Sequence, residues 1–156
     1  MRLDGVKVLV LEDSYLIAEL IEDMLLQAGA IVVGTTKSVA LALHVLGTQA
    51  VDLACLDINL GVETSFPVAD ELASRGIPFV FVTAYAAELL PQRHSNRILV
   101  HKMQMTDELV ATCWTALHVG PPAVVEAASI LSRLNAESPP VPAENVIQMV
   151  SGIIVR

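Results

Sequence analysis

Five short apolar runs, each followed by a stretch with helical spacing, constrain this chain more than any other feature. The runs are Val6–Leu11, Ile31–Gly34, Leu53–Leu56, Phe79–Val82 and Ile98–Val100. Most are apolar at consecutive positions, not alternate ones, so both faces of each strand expect cover. The segments between them place apolar residues three and four apart. Ile17, Leu20, Ile21, Met24 and Leu25 form one such stripe between Ser14 and Gln27, with Gly29 as its stop. Ser38 is placed to cap a second helix carrying Val39, Ala42, Leu43 and Leu46, ending before Gly47. A third helix starts at Thr64 or Ser65 with Pro67 in its first turn and ends at Arg75-Gly76. Ala86–Leu90 makes a turn or two before Pro91, and a fifth helix opens at Thr106-Asp107-Glu108 and runs through Leu117. Repeated βα units with strands buried on both faces mean an α/β fold with helices on both sides of a parallel sheet. Five units are too few for a barrel, so a doubly wound sheet is expected, with ligands beyond the strand C-termini.

Composition narrows what such a sheet can do. At 54% hydrophobic residues the 156-residue chain has ample material for a core. Residues 1–119 hold 14 acidic against 7 basic groups, and residues 120–156 hold 3 against 2. Neither part has the Lys/Arg cluster that phosphate-backbone contacts need, so nucleic acid is not an expected partner. No uncharged apolar stretch reaches the roughly 18 residues of a membrane span. The N-terminus has no signal-peptide core, so a cytoplasmic protein is expected. Cys55 and Cys113 fall on an apolar strand and an apolar helix face, where small buried hydrophobes are expected in preference to a disulfide or redox pair. The four histidines (His44, His94, His101 and His118) show no ligand spacing or carboxylate pairing, and solvated or helix-terminal places suit them. No glycine-rich phosphate loop follows the first strand.

The strand ends carry the chemistry. Strand one stops at Glu12-Asp13, strand three at Asp57, strand four at Thr83 and strand five at Lys102. In a parallel sheet these ends share one edge. Clustered carboxylates ionise cheaply only beside a cation. Hard oxygens suit Mg²⁺, which commonly bridges to phosphate. An Asp oxygen is a competent nucleophile for phosphoryl transfer. Lys102 and the metal can supply charge to the transferring group, and Thr83 a hydrogen bond. Each residue also has a plainer reading: Asp57 as a turn cap, Asp13 as a cap of the first helix, Thr83 as ordinary strand, Lys102 as a surface lysine.

Glu12-Asp13, Asp57, Thr83 and Lys102, in that order and at strand ends, resemble the receiver domain of two-component response regulators over residues 6–119. The resemblance implies a flavodoxin-like five-stranded sheet of order 2-1-3-4-5 in a bacterial phosphorelay protein. It implies that Asp57 is the phosphoacceptor and forms an aspartyl phosphate. Glu12, Asp13, Asp57 and the backbone carbonyl of Asn59 would hold Mg²⁺, while Thr83 and Lys102 would bind the phosphoryl group and report it. Receivers usually follow the lysine with proline, where Met103 stands here, and often place an aromatic three residues before it, where Leu99 stands. Tyr85 is then the switch candidate, against a plain amphipathic residue on a loop edge. Pro78 to Tyr85, the short fourth helix and Leu60-Gly61-Val62-Glu63-Thr64-Ser65 resemble the subgroup named for its "FAT GUY" motif. That subgroup accompanies histidine kinases of the HWE and HisKA2 classes.

Residues 120–156 read as a C-terminal tail. Gly120-Pro121-Pro122 breaks the chain, Ala123–Leu134 has helical spacing, Ser138 to Pro142 is a stiff spacer, and Asn145–Val155 is apolar. No output domain is recognisable there. A homodimer formed through this tail, or through the fourth and fifth strands, is one expectation; docking on its own receiver is the other. The leading expectation is a stand-alone receiver that takes a phosphoryl group from a histidine kinase and signals by protein contact. It would be no enzyme beyond its own phosphorylation and dephosphorylation. The alternative is a pseudo-receiver, a binding or dimerisation module that works without phosphorylation. An aspartate-nucleophile phosphatase is disfavoured, because Asn59 occupies the position of its second acid.

Overall fold

The structure is a computed structural model that describes residues 1–84 and 90–119. Strands β1 (Lys7–Leu11), β2 (Ile31–Thr36), β3 (Leu53–Leu56), β4 (Phe79–Thr83) and β5 (Leu99–His101) make one sheet of order β2-β1-β3-β4-β5. All four pairings are parallel. Helices α1 (Tyr15–Gln27), α2 (Val39–Thr48) and α3 (Phe66–Ser74) connect the first four strands, a 3-10 turn at Gln92–His94 precedes β5, and α4 (Met105–His118) follows it. The doubly wound five-stranded sheet expected from the sequence is the one observed.

Period-two alternation in the central strands builds two cores, one on each face. Val8, Val10, Leu53, Cys55, Val80 and Val82 point to the side covered by Ile21 and Leu25 of α1 and by Leu109 and Cys113 of α4. Leu9, Leu11, Ala54, Leu56, Phe79 and Phe81 point to the side covered by Ala42 and Leu46 of α2 and by Val68 and Leu72 of α3. Every residue of β3 and β4 is buried. Each large side chain so buried contributes about 1.5–3 kcal/mol. The edge strands are different: β2 and β5 are only partly buried, because each has a neighbour on one side alone.

Two helices end as their glycines dictate. At the end of α1, Gly29 takes φ +92, donates to the Leu26 carbonyl, and lets Ala30 donate to the Leu25 carbonyl. Gly76 does the same after α3, at φ +67, with bonds to Ala73 and Leu72. Both are Schellman endings, which need the left-handed backbone that glycine adopts without strain. Helix α2 corrects the expectation that Gly47 ends it, for it continues through Gly47 to Thr48 and is closed by Gln49. A glycine stops a helix only where it turns left-handed, and Gly47 does not. Ser38 does cap α2, its Oγ accepting from Leu41 N–H at 3.4 Å.

The cysteines also take definite positions. Cys55 of β3 and Cys113 of α4 meet with their sulfurs 3.7 Å apart, both buried and both free thiols. The contact with Cys113, together with burial, pushes the Cys55 thiol well above its ordinary value, which keeps it an inert core residue.

Among the described residues no helix is long and apolar enough to cross a membrane. The expected short helix at Ala86–Leu90 falls largely outside the described residues, as do Tyr85 and the tail from residue 120.

Candidate functional site

Parallel pairing brings the strand ends together. Leu11 is opposite Leu56, so the residues that follow them, Glu12 and Asp57, emerge side by side. Asp57 N–H donates to the Leu11 carbonyl at 2.8 Å, and Glu12 N–H to the Thr36 carbonyl at 2.9 Å. Thr83 is opposite His101, and Lys102 N–H donates to the Thr83 carbonyl at 2.8 Å. All of Glu12, Asp13, Asp57, Thr83 and Lys102 therefore stand at one edge of the sheet.

Their side chains divide by burial. Glu12 is 2% exposed, Asp57 5% and Thr83 is fully buried, whereas Asp13 is exposed. Lys102 Nζ lies 2.7 Å from Asp57 Oδ2, to which it donates a hydrogen bond, and 2.7 Å from Glu12 Oε2 as an ion pair. Burial would push the Lys102 ammonium down, but the Asp57 and Glu12 carboxylates outweigh it and hold the lysine above its ordinary value. Burial pushes the Glu12 carboxyl up, Lys102 opposes that, and the charge of Asp57 adds to it. Glu12 Oε1 accepts from Ser14 N–H at 3.1 Å, which holds the carboxylate at the start of α1.

One oxygen from each of Glu12, Asp13 and Asp57 falls within 4.8 Å of the others. Glu12 Oε2 is buried, with the Lys102 ammonium at 2.7 Å as its partner. One ammonium set against three converging carboxylates leaves surplus negative charge, which is costly unless a further cation offsets it. Three converging hard oxygen donors with this surplus of negative charge fit a small divalent cation. Asn59 lies two residues past Asp57, its N–H 3.4 Å from Asp57 Oδ1 and its own Oδ1 accepting from Gly61 N–H at 3.0 Å. Gly61, at φ +82, passes close to Asp13, and a Cβ there would lie 3.7 Å from Asp13 Oδ2.

Several contributors escaped the sequence reading. Glu63, in the loop after Asp57, accepts from Val39 N–H at 2.9 Å and so anchors that loop to the first turn of α2. Its partner is 24 residues away, and no local signal announces the pairing. His94 is a correction: it is 2% exposed and does have a carboxylate partner. Its Nε2 lies 2.7 Å from Asp70 Oδ1, and its ring is packed against Phe66, Phe79 and Phe81. Arg93 also binds Asp70, at 2.7 Å. These contacts fasten the turn before β5 to α3.

The comparisons agree with this geometry. The response regulator receiver domain family matches residues 8–107. No curated protein matches the chain. Among solved structures, SdrG from Sphingomonas melonis Fr1 is 38% identical, covering 72% of this chain and 96% of its own, at a TM-score of 0.64. The BeF3-activated conformation of SdrG from Pseudomonas melonis Fr1 is 36% identical, covering 70% and 98%, at a TM-score of 0.59. A mutant of the anti-anti-sigma factor PhyR from Bartonella quintana is 30% identical at a TM-score of 0.65; the match covers 76% of this chain and only 51% of PhyR. A sheet of order 2-1-3-4-5, an acidic pocket at its C-terminal edge and a family match through both mark this chain as a member of the response regulator receiver domain family.

Proposed function

We propose that the chain is a phosphorylatable receiver, with Asp57 as the phosphoacceptor and a histidine kinase as the donor. The observation that carries this reading is the convergence of Asp57 with Glu12, Asp13 and Lys102 at one strand edge. In the reaction an Asp57 carboxylate oxygen attacks phosphorus of a phosphohistidine or acyl phosphate. The new O–P bond forms as the bond to the donor's imidazole nitrogen or carboxylate oxygen breaks, leaving an aspartyl phosphate. In this reading Lys102 neutralises charge gathering on the transferred oxygens, and Thr83 gives a hydrogen bond. Glu12, Asp13, Asp57 and the Asn59 carbonyl would hold Mg²⁺, which supplies positive charge to the phosphoryl oxygens. SdrG, whose sequence is 36% identical, has a BeF3-activated conformation, and this supports a phosphoryl-responsive reading here.

Output then runs through protein contacts. Phosphorylation shifts an equilibrium between surface states near β4 and β5. In this reading its chemistry is confined to phosphorylation and dephosphorylation of its own aspartate. A kinase of the HWE or HisKA2 class is the partner to try first, on the strength of the motif around Phe79 to Tyr85. Tyr85 as the responding aromatic and the tail as a dimer arm belong to the same proposal.

Intact mass after incubation with acetyl phosphate and Mg²⁺, beside Asp57→Ala, is the test. A single metal-dependent phosphoryl adduct, absent from the variant, is expected. No adduct from either acetyl phosphate or a phosphorylated kinase would leave the phosphorylation-independent module as the better reading.

A further inference from the structure

His101 ends β5 and directly precedes Lys102. Its ring touches backbone on two sides. Nε2 lies 3.1 Å from the Ala84 carbonyl oxygen, and Met103 N–H donates to Nδ1 over 3.3 Å. A carbonyl can only accept, so Nε2 carries the hydrogen. A neutral imidazole has one N–H, which leaves Nδ1 as an acceptor for Met103. The two contacts therefore require the same tautomer and are satisfied together.

Between them, Lys102 N–H donates to the Thr83 carbonyl at 2.8 Å. The backbone on both sides of Lys102 is thus joined to the end of β4, on the lysine's N-terminal side by strand pairing and on its C-terminal side through the His101 ring. This matters because a lysine ammonium rides on a flexible four-carbon stem. Its aim depends on how firmly its own backbone is held. Met103 is part of the device: a proline at 103 would have no N–H to donate.

We propose that His101 is a positioning residue, a clasp between the Ala84 carbonyl and the Met103 amide that aims Lys102 at Asp57. The clasp touches neither the phosphoryl acceptor nor the metal-binding carboxylates and acts through Lys102 alone. Its consequence for phosphoryl transfer rests on the reading of Asp57 as the phosphoacceptor.

Two readouts test it on the full chain. In ¹⁵N-resolved NMR, His101 is expected to show a protonated Nε2 and a bare, hydrogen-bonded Nδ1, and His101→Ala to shift the Lys102 side-chain signals while those of Glu12 to Ser14 hold. In kinetics with acetyl phosphate, His101→Ala is expected to slow adduct formation about tenfold at unchanged Mg²⁺ affinity. Added to Lys102→Ala, it is expected to slow it no further, a non-additivity that a general loss of structure would not give. His101→Asn, whose side-chain oxygen can accept from the amide two residues on, should recover part of the rate.

A wild type that forms the adduct with a His101→Ala variant of equal rate would overturn the clasp and leave the phosphoacceptor reading standing. A wild type that forms no adduct would fail that reading, and the clasp would then be judged by NMR. There, an Nδ1–H tautomer or unmoved Lys102 signals would end it.

Discussion

Lys102 Nζ is 2.7 Å from Asp57 Oδ2 and 2.7 Å from Glu12 Oε2, so a single ammonium is shared by two buried carboxylates. The charge on this strand edge is therefore balanced across residues 45 and 90 positions apart, and only the parallel sheet brings them together. Removing the ammonium should slow phosphorylation by about 100-fold, the scale for losing one preorganised charge at a transferring group. Rates of adduct formation for Lys102→Ala against wild type, both saturated with Mg²⁺, check this. Equal rates would mean that the lysine serves folding alone.

Metal binding should be readable as stability. A cation that binds only the folded state adds about 2.7 kcal/mol at 100 times its Kd. Chemical denaturation with and without Mg²⁺ should show such a gain for wild type. The gain should shrink in Asp13→Asn and in Glu12→Gln, since each replaces one of the three converging carboxylates with a neutral amide. A gain of full size in both variants would place the ion elsewhere.

His94 should make the fold sensitive to mild acid. Burial holds its pKa below the ordinary 6.5, and Asp70 only partly opposes that. A group whose pKa is depressed on folding contributes stability above its unfolded value and loses it as pH falls through the folded one. Wild-type stability should therefore decline as pH drops below 6.5, and His94→Leu should flatten that decline. Denaturation midpoints across this range decide the matter, and parallel curves for the two proteins would place the acid sensitivity elsewhere.

Phe81 should be among the costliest side chains to truncate. It is fully buried, with edge-on rings from Phe66 at 6.2 Å and Phe79 at 5.5 Å. Phe81→Ala should lose about 3–5 kcal/mol, since the surrounding aromatic packing closes a cavity only in part. Urea unfolding measures it, and a loss below about 1 kcal/mol would mean that the core repacks.

The sequence by itself determined the fold class and most of the strand-edge constellation. Consecutive apolar residues in β3 and β4 can be satisfied only by cover on both faces, and Leu53–Leu56 was legible to the residue. Glu12, Asp57 and Lys102 could be named because parallel strands must end on one edge, a constraint that local chemistry and topology share. Tertiary structure alone decided the rest. That α2 runs through Gly47 depends on a backbone angle that composition does not fix. That Glu63 caps α2, that His94 is buried on Asp70 and that His101 bridges Ala84 to Met103 all depend on partners 2 to 24 residues away, some across neighbouring strands. Hydrophobic periodicity reports which face of an element is buried. It carries no information on which polar atom of a distant segment will meet it, because hydrogen bonds are short and directional and are set only once the elements have packed.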